Sequence, residues 1–377
     1  MKLSTFSFEA GHGWSQDAFP PLDSPQTLVL VFAGAGFLDA PGPIDEIVAR
    51  YPTSVVVGCS SAGEIHGARI SDDSISVAVA RFERGSLRLA TTEVGNGVSS
   101  SAAGEALAKQ LRAEDLRAMF VLSDGLRVNG TEMLAGIHGV LAPSVAVTGG
   151  LAGDGGRFRR TWVLAGGKLR SFVVVAVGLY GDAIGVSHGS RGGWDAFGPE
   201  RIVTRSEGNV LHTLDDEPAL ALYKTYLGER AEGLPATALL FPLALRSAGA
   251  SQTLVRTILS IDEDSQTMTF AGDIPENSIV QLMRTNFERL IDGASQASEA
   301  AAGPSAGDSL TVAVSCVGRR IVLGERAEEE VEAAVDGLPA GGQMVGFYSY
   351  GEISPFAPGE CGVLHNQTMT LTRLWEQ

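Results

Sequence analysis

Two segments far apart in the chain carry glycines, a serine and a glutamate at the same spacing. Val57–Ile65 aligns without gaps on Val345–Ile353, and the copies share valine, glycine, serine, glycine, glutamate and isoleucine at matching positions. A weaker third copy, Val147–Asp154, needs one gap and ends in an aspartate. Glycines let a backbone approach a ligand closely, and a carboxylate binds an ammonium or guanidinium group. The repeat therefore predicts a binding rim built from related parts.

The two glutamates of the repeat, Glu64 and Glu352, hold the same place in matching loops. If the repeated units pack about a pseudo-twofold axis, both carboxylates face one cleft and can bind a cationic group together. In the alternative interpretation, each carboxylate accepts hydrogen bonds from the amides of its own glycine loop and fixes the turn. Asp154, at the end of the third copy, has the same two interpretations.

Cys59 follows a strand-like run and occupies a turn, where nucleophilic side chains of enzymes are often placed. Its surroundings, GCSSAG, differ from the GxSxG motif, and the matching residue of the later copy is Phe347. Catalysis would need a base, for which His66 is close in sequence and His365 could be close in space. The alternative is a small buried cysteine beside serine hydroxyls that bond to loop amides.

Cofactor motifs are incomplete in this chain. Gly34–Gly36 follows a strand and precedes a helix, but Asp39 replaces the third glycine of a dinucleotide fingerprint. The six histidines show no metal-binding spacing. His365, beside Asn366 on a strand after the last glycine loop, is the favoured pocket histidine. The alternative is that it bonds a neighbouring loop carbonyl.

The glycine loops follow a recurrent order of elements, namely a strand, a helix, a second strand, the loop and further strands. Three units with this order begin near Thr27, Met119 and Leu310. A short strand–helix–strand connection is typical of a parallel crossover, and the strands after each loop add antiparallel pairs. The sequence thus predicts a mixed α/β fold in which repeated strand–helix–strand–loop–hairpin units form two related α/β domains with pseudo-twofold character.

A domain boundary is predicted between Arg205 and Leu211, where the apolar periodicity lapses. The N-terminal domain then spans residues 1–205. The C-terminal domain spans residues 206–377, with a helical insertion around residues 215–305.

Local patterns predict further elements. Glu217–Gly228 is expected to be a helix, since Pro218 lies near its first turn. A long helix is expected from Val280 to about Ala302, with its apolar residues on one side. Ser74–Arg81 and Ser86–Glu93 are predicted to form a hairpin.

Charge and composition limit the classes of function. The 377 residues carry a formal net charge of −16, which opposes a nucleic-acid role because that role needs clustered lysine and arginine. The three cysteines form neither a disulfide framework nor a CxxC zinc pattern. No apolar run reaches the ~18 residues of a membrane helix, and the first residues lack the features of a signal peptide. A cytoplasmic protein without a membrane span is predicted.

Taken in order, GCSSAGEI, GGLAGD, EPALALYKTYLG, GFYSYGEISP and LHNQT resemble the motifs of the FIST family. The resemblance covers nearly the whole chain and implies an N-terminal and a C-terminal FIST domain. FIST proteins are proposed to be sensors of small ligands, for which amino acids have been suggested, and to signal to histidine kinases or cyclic-nucleotide enzymes. Some members of similar layout bind haem and sense nitric oxide with a partner kinase.

The leading expectation is a cytoplasmic sensor that binds a small polar, amino-acid-like metabolite between its domains and signals to a separate partner, a histidine kinase or a cyclic-nucleotide signalling enzyme. The first alternative is a haem-binding nitric oxide sensor regulating a histidine kinase, with His365 as candidate axial ligand; haem is the one cofactor that the resemblance suggests. The second alternative is a Cys59-dependent hydrolase or transferase. The leading expectation assigns no catalytic residue and no metal ligand. Its predicted ligand-binding residues are Gly58, Cys59, Ser60, Ser61, Gly63, Glu64, Gly149, Gly150, Asp154, Ser349, Tyr350, Gly351, Glu352, His365 and Asn366.

Overall fold

The computed structural model describes residues 1–95, 97–247, 249, 252–303 and 307–377. Its strands in chain order are β1 (Lys2–Glu9), β2 (Gly13–Trp14), β3 (Thr27–Gly34), β4 (Val55–Ser61), β5 (Glu64–His66), β6 (Arg69–Ser71), β7 (Ser74–Arg81), β8 (Ser86–Glu93), β9 (Leu116–Ser123), β10 (Ala146–Leu151), β11 (Val163–Ala165), β12 (Lys168–Arg170), β13 (Val173–Tyr180), β14 (Ile184–Arg191), β15 (Asp195–Glu207), β16 (Val210–Leu214), β17 (Glu217–Pro218), β18 (Leu243–Arg246), β19 (Leu254–Arg256), β20 (Ile258–Asp262), β21 (Thr267–Phe270), β22 (Ile279–Arg284), β23 (Ser309–Cys316), β24 (Gly342–Ser349), β25 (Gly351–Pro355), β26 (Gly362–His365) and β27 (Met369–Glu376). The α-helices are α1 (Gly42–Arg50), α2 (Ser100–Leu111), α3 (Gly130–His138), α4 (Ala219–Leu227), α5 (Phe287–Ala301), α6 (Val317–Leu323) and α7 (Ala327–Asp336). Among the described residues, no helix combines the length and the apolar character that crossing a bilayer requires.

Three sheets share one plan, which confirms the predicted mixed α/β fold of repeated units. Each sheet is built on a parallel pair, β3 with β4, β9 with β10, or β23 with β24. The first strand of each pair also has an antiparallel neighbour, which is β7, β13 or β27. The parallel pairs form because each strand is a short apolar run that returns through a helical crossover.

The outer side of each parallel pair is completed by a hairpin from another unit. The hairpin β5–β6, which follows the first glycine loop, joins β24. The hairpin β11–β12 joins β4, and the hairpin β25–β26 joins β10. The three units therefore exchange hairpins in a cycle, whereas the sequence predicted a twofold relation. The difference arises because the weaker third copy of the motif takes the same structural place as the other two.

Burial explains why the central strands lack the alternation of a half-exposed sheet. Every residue of β3 and of β23 is buried, because apolar layers cover both faces of their sheets.

The helix α3 begins after Asn129, whose side chain accepts hydrogen bonds from the amides of Thr131 and Glu132. This cap fixes the start of α3, where Gly130 lies against Leu151 of β10 and Leu364 of β26.

The predicted hairpin of Ser74–Arg81 with Ser86–Glu93 is wrong in its pairing, although both strands exist. β7 pairs with β1 and β3, whereas β8 pairs with β13 in a different sheet. The turn between them is held from outside, since the Glu376 carboxylate accepts hydrogen bonds from the amides of residues 83–85. A sharp turn therefore carries the chain between two sheets.

The long helix predicted from Val280 to Ala302 is also wrong in its first part. Val280 and Leu282 lie on β22, where they are buried at alternate positions. The helix α5 begins only at Phe287, because Asn286 caps it by accepting a hydrogen bond from the Arg289 amide. The asparagine was the local signal that separates the strand from the helix.

A fourth sheet, in the order β19-β18-β22-β15-β16-β21-β20, comes mainly from the predicted insertion. The predicted helix at Glu217–Gly228 is confirmed as α4, but the insertion contains more strands than helices. The predicted boundary at residues 205 and 206 falls on the hairpin of β15 and β16, and the boundary itself stays a prediction.

Candidate ligand-binding site

The three glycine loops meet in the centre of the molecule. We call their contacting residues, Ser60–Gly63, Leu151–Gly153 and Tyr348–Tyr350, the glycine hub, and all of them are buried. Its backbone hydrogen bonds run from Ala62 N to Tyr348 O (2.8 Å), from Gly153 N to Ser60 O (2.9 Å) and from Tyr350 N to Leu151 O (3.1 Å). The repeat is therefore a junction at which each chain segment leaves its own sheet and enters the next.

Glycine is required before each crossing because two backbones touch there. A Cβ atom on Gly58 would lie 2.0 Å from the carbonyl oxygen of Val31 on the parallel partner strand. The same atom on Gly346 would lie 2.0 Å from the oxygen of Ala313, and on Gly149 it would lie 1.9 Å from the oxygen of the facing valine. These predicted site glycines thus have a packing role in the sheets.

The carboxylates of Glu64 and Glu352 have separate, equivalent partners. Oε2 of Glu64 accepts hydrogen bonds from the amide and the hydroxyl of Ser74, both at 2.9 Å. Oε2 of Glu352 accepts from the amide and the hydroxyl of Thr368, and its Oε1 accepts from Ser349. Each glutamate therefore holds the start of the strand that follows its hairpin.

Burial controls the ionisation of both glutamates. It raises the pKa of Glu64 to about 7 and that of Glu352 to about 8, against the opposing effect of their hydrogen bonds. The two side chains are at most 2 % exposed and line none of the cavities described below. This arrangement matches the structural interpretation of the pair, in which each carboxylate fixes its own segment.

Asp154 organises the loop after the third copy of the motif. Its carboxylate accepts hydrogen bonds from the amides of Phe158, Arg159 and Arg160, and from the hydroxyl of Tyr350. Burial opposes ionisation here, but these hydrogen bonds outweigh it and lower the pKa of Asp154. The aspartate thereby ties the loop of the second unit to an aromatic side chain of the third unit.

Cys59 is fully buried in β4, opposite Val163 of β11. Burial raises the pKa of its thiol well above the usual value, so the nucleophilic thiolate is disfavoured. The neighbouring hydroxyls are engaged in the hub, since Ser60 Oγ accepts from the Trp162 amide and Ser61 Oγ accepts from the Gly63 amide. The geometry gives Cys59 no substrate-accessible face.

A cavity of about 410 Å³ lies beyond the carboxyl ends of β23 and β24, and we call it the apolar cavity. Among the described residues that line it, none carries a charge. Its wall residues include Phe158, Leu234, Leu239, Thr257, Ile258, Leu259, Cys316, Val317, Ile321, Tyr350 and Asn366. The volume is within the ~300–1,000 Å³ of ligand pockets, and the position beyond parallel strand ends is common for such pockets.

A second cavity of about 370 Å³, the polar cavity, lies beyond the equivalent ends of β9 and β10. Arg127, Asn129 and Asn209 contribute its polar side chains. The polar cavity shares Phe158, Leu259, Ala271 and Tyr350 with the apolar cavity. The two cavities are therefore neighbouring parts of one cleft, and Leu259 near the start of β20 and Ala271 just after β21 form part of both walls.

The stacked rings of Phe158 and Tyr350 stand between the two cavities. Their centroids are 4.4 Å apart and their planes differ by 15°. Tyr350 is 8 % exposed and fixed by Asp154, whereas Phe158 is 48 % exposed and has a φ angle of 51°. The pair thus has one fixed ring and one ring at the surface of the cleft.

Two residues that line the apolar cavity each have a fully buried polar atom without a hydrogen-bond partner among the described residues. These atoms are Oδ1 of Asn366 and Oγ1 of Thr257. The two side chains are 1 % and 4 % exposed. Other buried hydroxyls that do not line the cavity, such as that of Thr311, also have no partner among the described residues, so the two atoms do not by themselves identify a ligand.

Histidines take no part in either cavity. His365 is 2 % exposed, its Nε2 lies 2.9 Å from the Ser354 carbonyl oxygen, and its ring packs edge-on against Phe356. Burial lowers the pKa of His365 to about 4. None of the six histidines is among the described residues that line the two cavities, so the donor set does not fit an axial histidine of haem there.

Of the residues predicted to bind a ligand, Tyr350 and Asn366 line the apolar cavity. Asp154 does not line the cavity but fixes Tyr350 by a hydrogen bond with its hydroxyl. Glu352 accepts a hydrogen bond from Thr368, in the segment that follows Asn366. The other predicted residues lie in the hub or in the buried strands next to it. Sequence reasoning missed Phe158, Thr257, Cys316 and Ile321, although the position of Cys316 at the end of a parallel strand was a usable signal.

Two protein-family models match this chain, and residues from both matched regions line the cleft. The family model described as the FIST N domain matches residues 27–217, and the model described as the FIST C domain matches residues 219–355. No curated protein matches the chain significantly. The apolar cavity is lined by Phe158 from the first matched region and by Thr257, Cys316 and Tyr350 from the second.

Proposed function

Because the chain belongs to the FIST family, we propose that it is a sensor that binds its small ligand in the cleft between the FIST N and FIST C regions. FIST domains are associated with the sensing of small ligands in signal transduction. The proposal assigns the ligand to the apolar and polar cavities together.

One observation supports this location above the others. The apolar cavity is lined by residues of both matched regions, with Phe158 from the first and Thr257, Cys316 and Tyr350 from the second. A ligand in this cavity would therefore contact both regions at once.

The division of the cleft suits an amino-acid-like molecule or a related metabolite. The apolar part of such a ligand fits the uncharged cavity. Its charged head group fits the polar cavity, where Arg127 lies at the rim and the amides of Asn129 and Asn209 supply donors and acceptors. The Phe158 side chain lies where the two parts of the ligand would meet.

The signal passes, in this proposal, to a separate partner such as a histidine kinase or a cyclic-nucleotide signalling enzyme. A ligand that contacts both regions favours the closed arrangement of the cleft, and its differential affinity for the two arrangements sets the size of the response. The partner would read the surface that changes on closure.

A thermal-shift screen of amino acids and related metabolites tests the proposal. A ligand at about 100 times its Kd stabilises the folded state by ~2.7 kcal/mol, which gives a measurable rise in Tm. Ile321→Trp would obstruct the apolar cavity, and Ile202→Trp is its control, because the two isoleucines are 49 % and 51 % exposed but only Ile321 lines the cavity. We expect Ile321→Trp to abolish the shift and Ile202→Trp to keep it. A shift that persists in Ile321→Trp would contradict the proposed location, and the absence of any stabilising compound would contradict the proposed function.

A further inference from the structure

We infer that the ligand of the cleft is an aromatic acid, whose ring stacks on the exposed face of Phe158 and whose anionic group bonds to Arg127. The inference rests on the proposed function, since it names the chemical class of ligand for the same site. Phe158 and Arg127 both line the polar cavity, and Phe158 also lines the apolar cavity. One molecule in the cleft can therefore contact both side chains.

Large apolar side chains that are exposed to solvent concentrate around the cleft. Phe158, Leu259 and Ile321 are 48 %, 45 % and 49 % exposed, and all of them line the apolar cavity. Contiguous exposed apolar surface on a soluble protein marks a site of interaction. The arrangement indicates that an apolar group covers these side chains when the ligand is bound.

The backbone, rather than burial of the ring, holds Phe158 in position. Its φ angle of 51° lies in the left-handed region, which a bulky residue rarely adopts. The Asp154 carboxylate stabilises this conformation by accepting hydrogen bonds from the amides of Phe158 and Arg159, at 2.8 and 2.9 Å. Strained backbone that is maintained by its surroundings is typical of functional sites.

The Phe158 ring has one free face. Tyr350 covers its other face, with ring centroids 4.4 Å apart and ring planes that differ by 15°. Tyr350 is only 8 % exposed, and its hydroxyl donates a hydrogen bond to Asp154. A ligand ring on the free face would extend this stack, and two stacked rings attract each other more than their apolar contact area alone predicts. The pair therefore favours a flat aromatic ring over a saturated one.

Arg127 supplies a positive charge in the same cleft. Among the described residues that line the polar cavity, it is the only charged one. Its exposed guanidinium lies over the Phe172 ring, 5.7 Å from the ring centroid, and forms no ion pair with a described residue. A carboxylate matches the parallel N–H donors of a guanidinium, so this side chain suits an acid.

Two more arginines, Arg159 and Arg160, line a third cavity of about 400 Å³ that also borders Phe158. Arg160 already forms a surface ion pair, whereas Arg159 forms none with a described residue. Asp124 and Asp154 oppose this positive charge, but both are buried and accept hydrogen bonds from backbone amides. The exposed charges beside Phe158 are therefore mainly positive, although the whole chain carries a net charge of −16.

Three bicyclic probes separate the ring from the charge. They are 2-naphthoate, 2-naphthamide, which has the same ring without the charge, and decahydro-2-naphthoate, which has the same charge on a saturated ring. Isothermal titration of the full chain should show that 2-naphthoate binds about fivefold more tightly than decahydro-2-naphthoate, as one aromatic stack predicts. It should bind about tenfold more tightly than 2-naphthamide, as one charge-assisted hydrogen bond predicts.

Phe158→Leu tests the stack, because leucine removes the ring and keeps an apolar side chain. Phe287→Leu is its control, since Phe287 is 42 % exposed but lines none of the three cavities. We expect Phe158→Leu to weaken 2-naphthoate about fivefold and to weaken decahydro-2-naphthoate less than about twofold. Phe287→Leu should leave the affinity of all three probes within about twofold of wild type.

Arg127→Gln tests the charge. Its control is Arg50→Gln, because Arg50 is exposed and lines none of the three cavities. We expect Arg127→Gln to weaken 2-naphthoate about tenfold and to leave 2-naphthamide within about twofold of wild type. Arg50→Gln should bind all three probes as wild type does.

The outcomes separate this inference from the proposed function. Equal affinities of 2-naphthoate and decahydro-2-naphthoate, or equal losses of both in Phe158→Leu, would overturn the stacking of an aromatic ring. Equal affinities of 2-naphthoate and 2-naphthamide would overturn the anionic group. If none of the three probes binds, the inference fails. The sensor function still stands in that case if a metabolite stabilises the protein in the thermal-shift screen and Ile321→Trp abolishes that shift.

Discussion

Replacement of Gly58 by alanine should destabilise the protein strongly, although Gly58 lies in no cavity. The new Cβ atom would lie 2.0 Å from the oxygen of Val31, whereas an ordinary close C···O contact is about 3.3 Å. The two parallel strands would have to separate by roughly 1.3 Å at the centre of their sheet. Overpacking costs about 1–3 kcal/mol, and weakened strand hydrogen bonds add about 1 kcal/mol each, so we expect a loss of about 3–5 kcal/mol.

Urea denaturation followed by circular dichroism measures this loss. Gly36→Ala is the matched control, because a Cβ atom on Gly36 has no neighbour within 4 Å. Because both variants replace glycine by alanine, the effect of the substitution on the entropy of the unfolded chain is nearly the same in both and cancels in the comparison. At about 2 °C per kcal/mol, Gly58→Ala should lower Tm by about 6–10 °C relative to this control. Stabilities of the two variants that agree within about 0.5 kcal/mol would refute the interpretation of the repeated glycines as packing residues.

Three further predictions concern buried ionisable groups. The pKa of Glu352 is raised to about 8, so the folded state keeps a proton that the unfolded state releases near pH 4.5, and stability falls as pH rises towards 8. The free energy of unfolding of Glu352→Gln, measured by urea denaturation, should therefore rise by about 2 kcal/mol relative to that of wild type between pH 6 and pH 8. If the stabilities of the two proteins change equally with pH, the raised pKa of Glu352 is contradicted. A maleimide reagent should label the half-buried Cys361 quickly and Cys316 slowly, because burial raises the pKa of the Cys316 thiol; mass spectrometry that finds Cys316 modified first would contradict this. Arg319→Met should cost about 3–5 kcal/mol because it leaves the Glu330 carboxylate buried without its ion pair, and the double variant Arg319→Met/Glu330→Leu should recover part of this loss in the same denaturation assay.

The three strand–helix–strand units were predictable because their signals are local. Each unit begins with a short apolar run that ends in glycine or a small polar residue, and a helical segment follows before the next run. Pairing between units is not local. β5 joins β24, about 280 residues further along the chain, and nothing in the sequence around Glu64 indicates this partner. For the same reason, β7 and β8 resemble a hairpin although they enter different sheets.

The candidate site was predictable only in part. Tyr350 and Asn366 were found because they belong to the last repeated loop and the motif that follows it. Phe158 and Thr257 carry no motif, and only the folded chain brings them to the same cavity from different regions. In one of the two interpretations of the repeat, Glu64 and Glu352 shared a cleft because the units were taken to be related by a twofold axis. In the cyclic arrangement, each glutamate instead fixes the start of its own following strand.

The two walls of the apolar cavity differ in how they are attached to the rest of the fold. One wall is fixed to the glycine hub, because Asp154 holds Tyr350 and Glu352 holds Thr368 just after Asn366. The opposite wall consists of β20 and the turns around Leu234, which belong to the fourth sheet and its connections. The hub is buried and closely packed, so it has little freedom to rearrange. A ligand that contacts both walls would therefore act mainly by drawing the fourth sheet towards the hub, which makes this sheet the part of the proposed sensor whose position depends on occupancy.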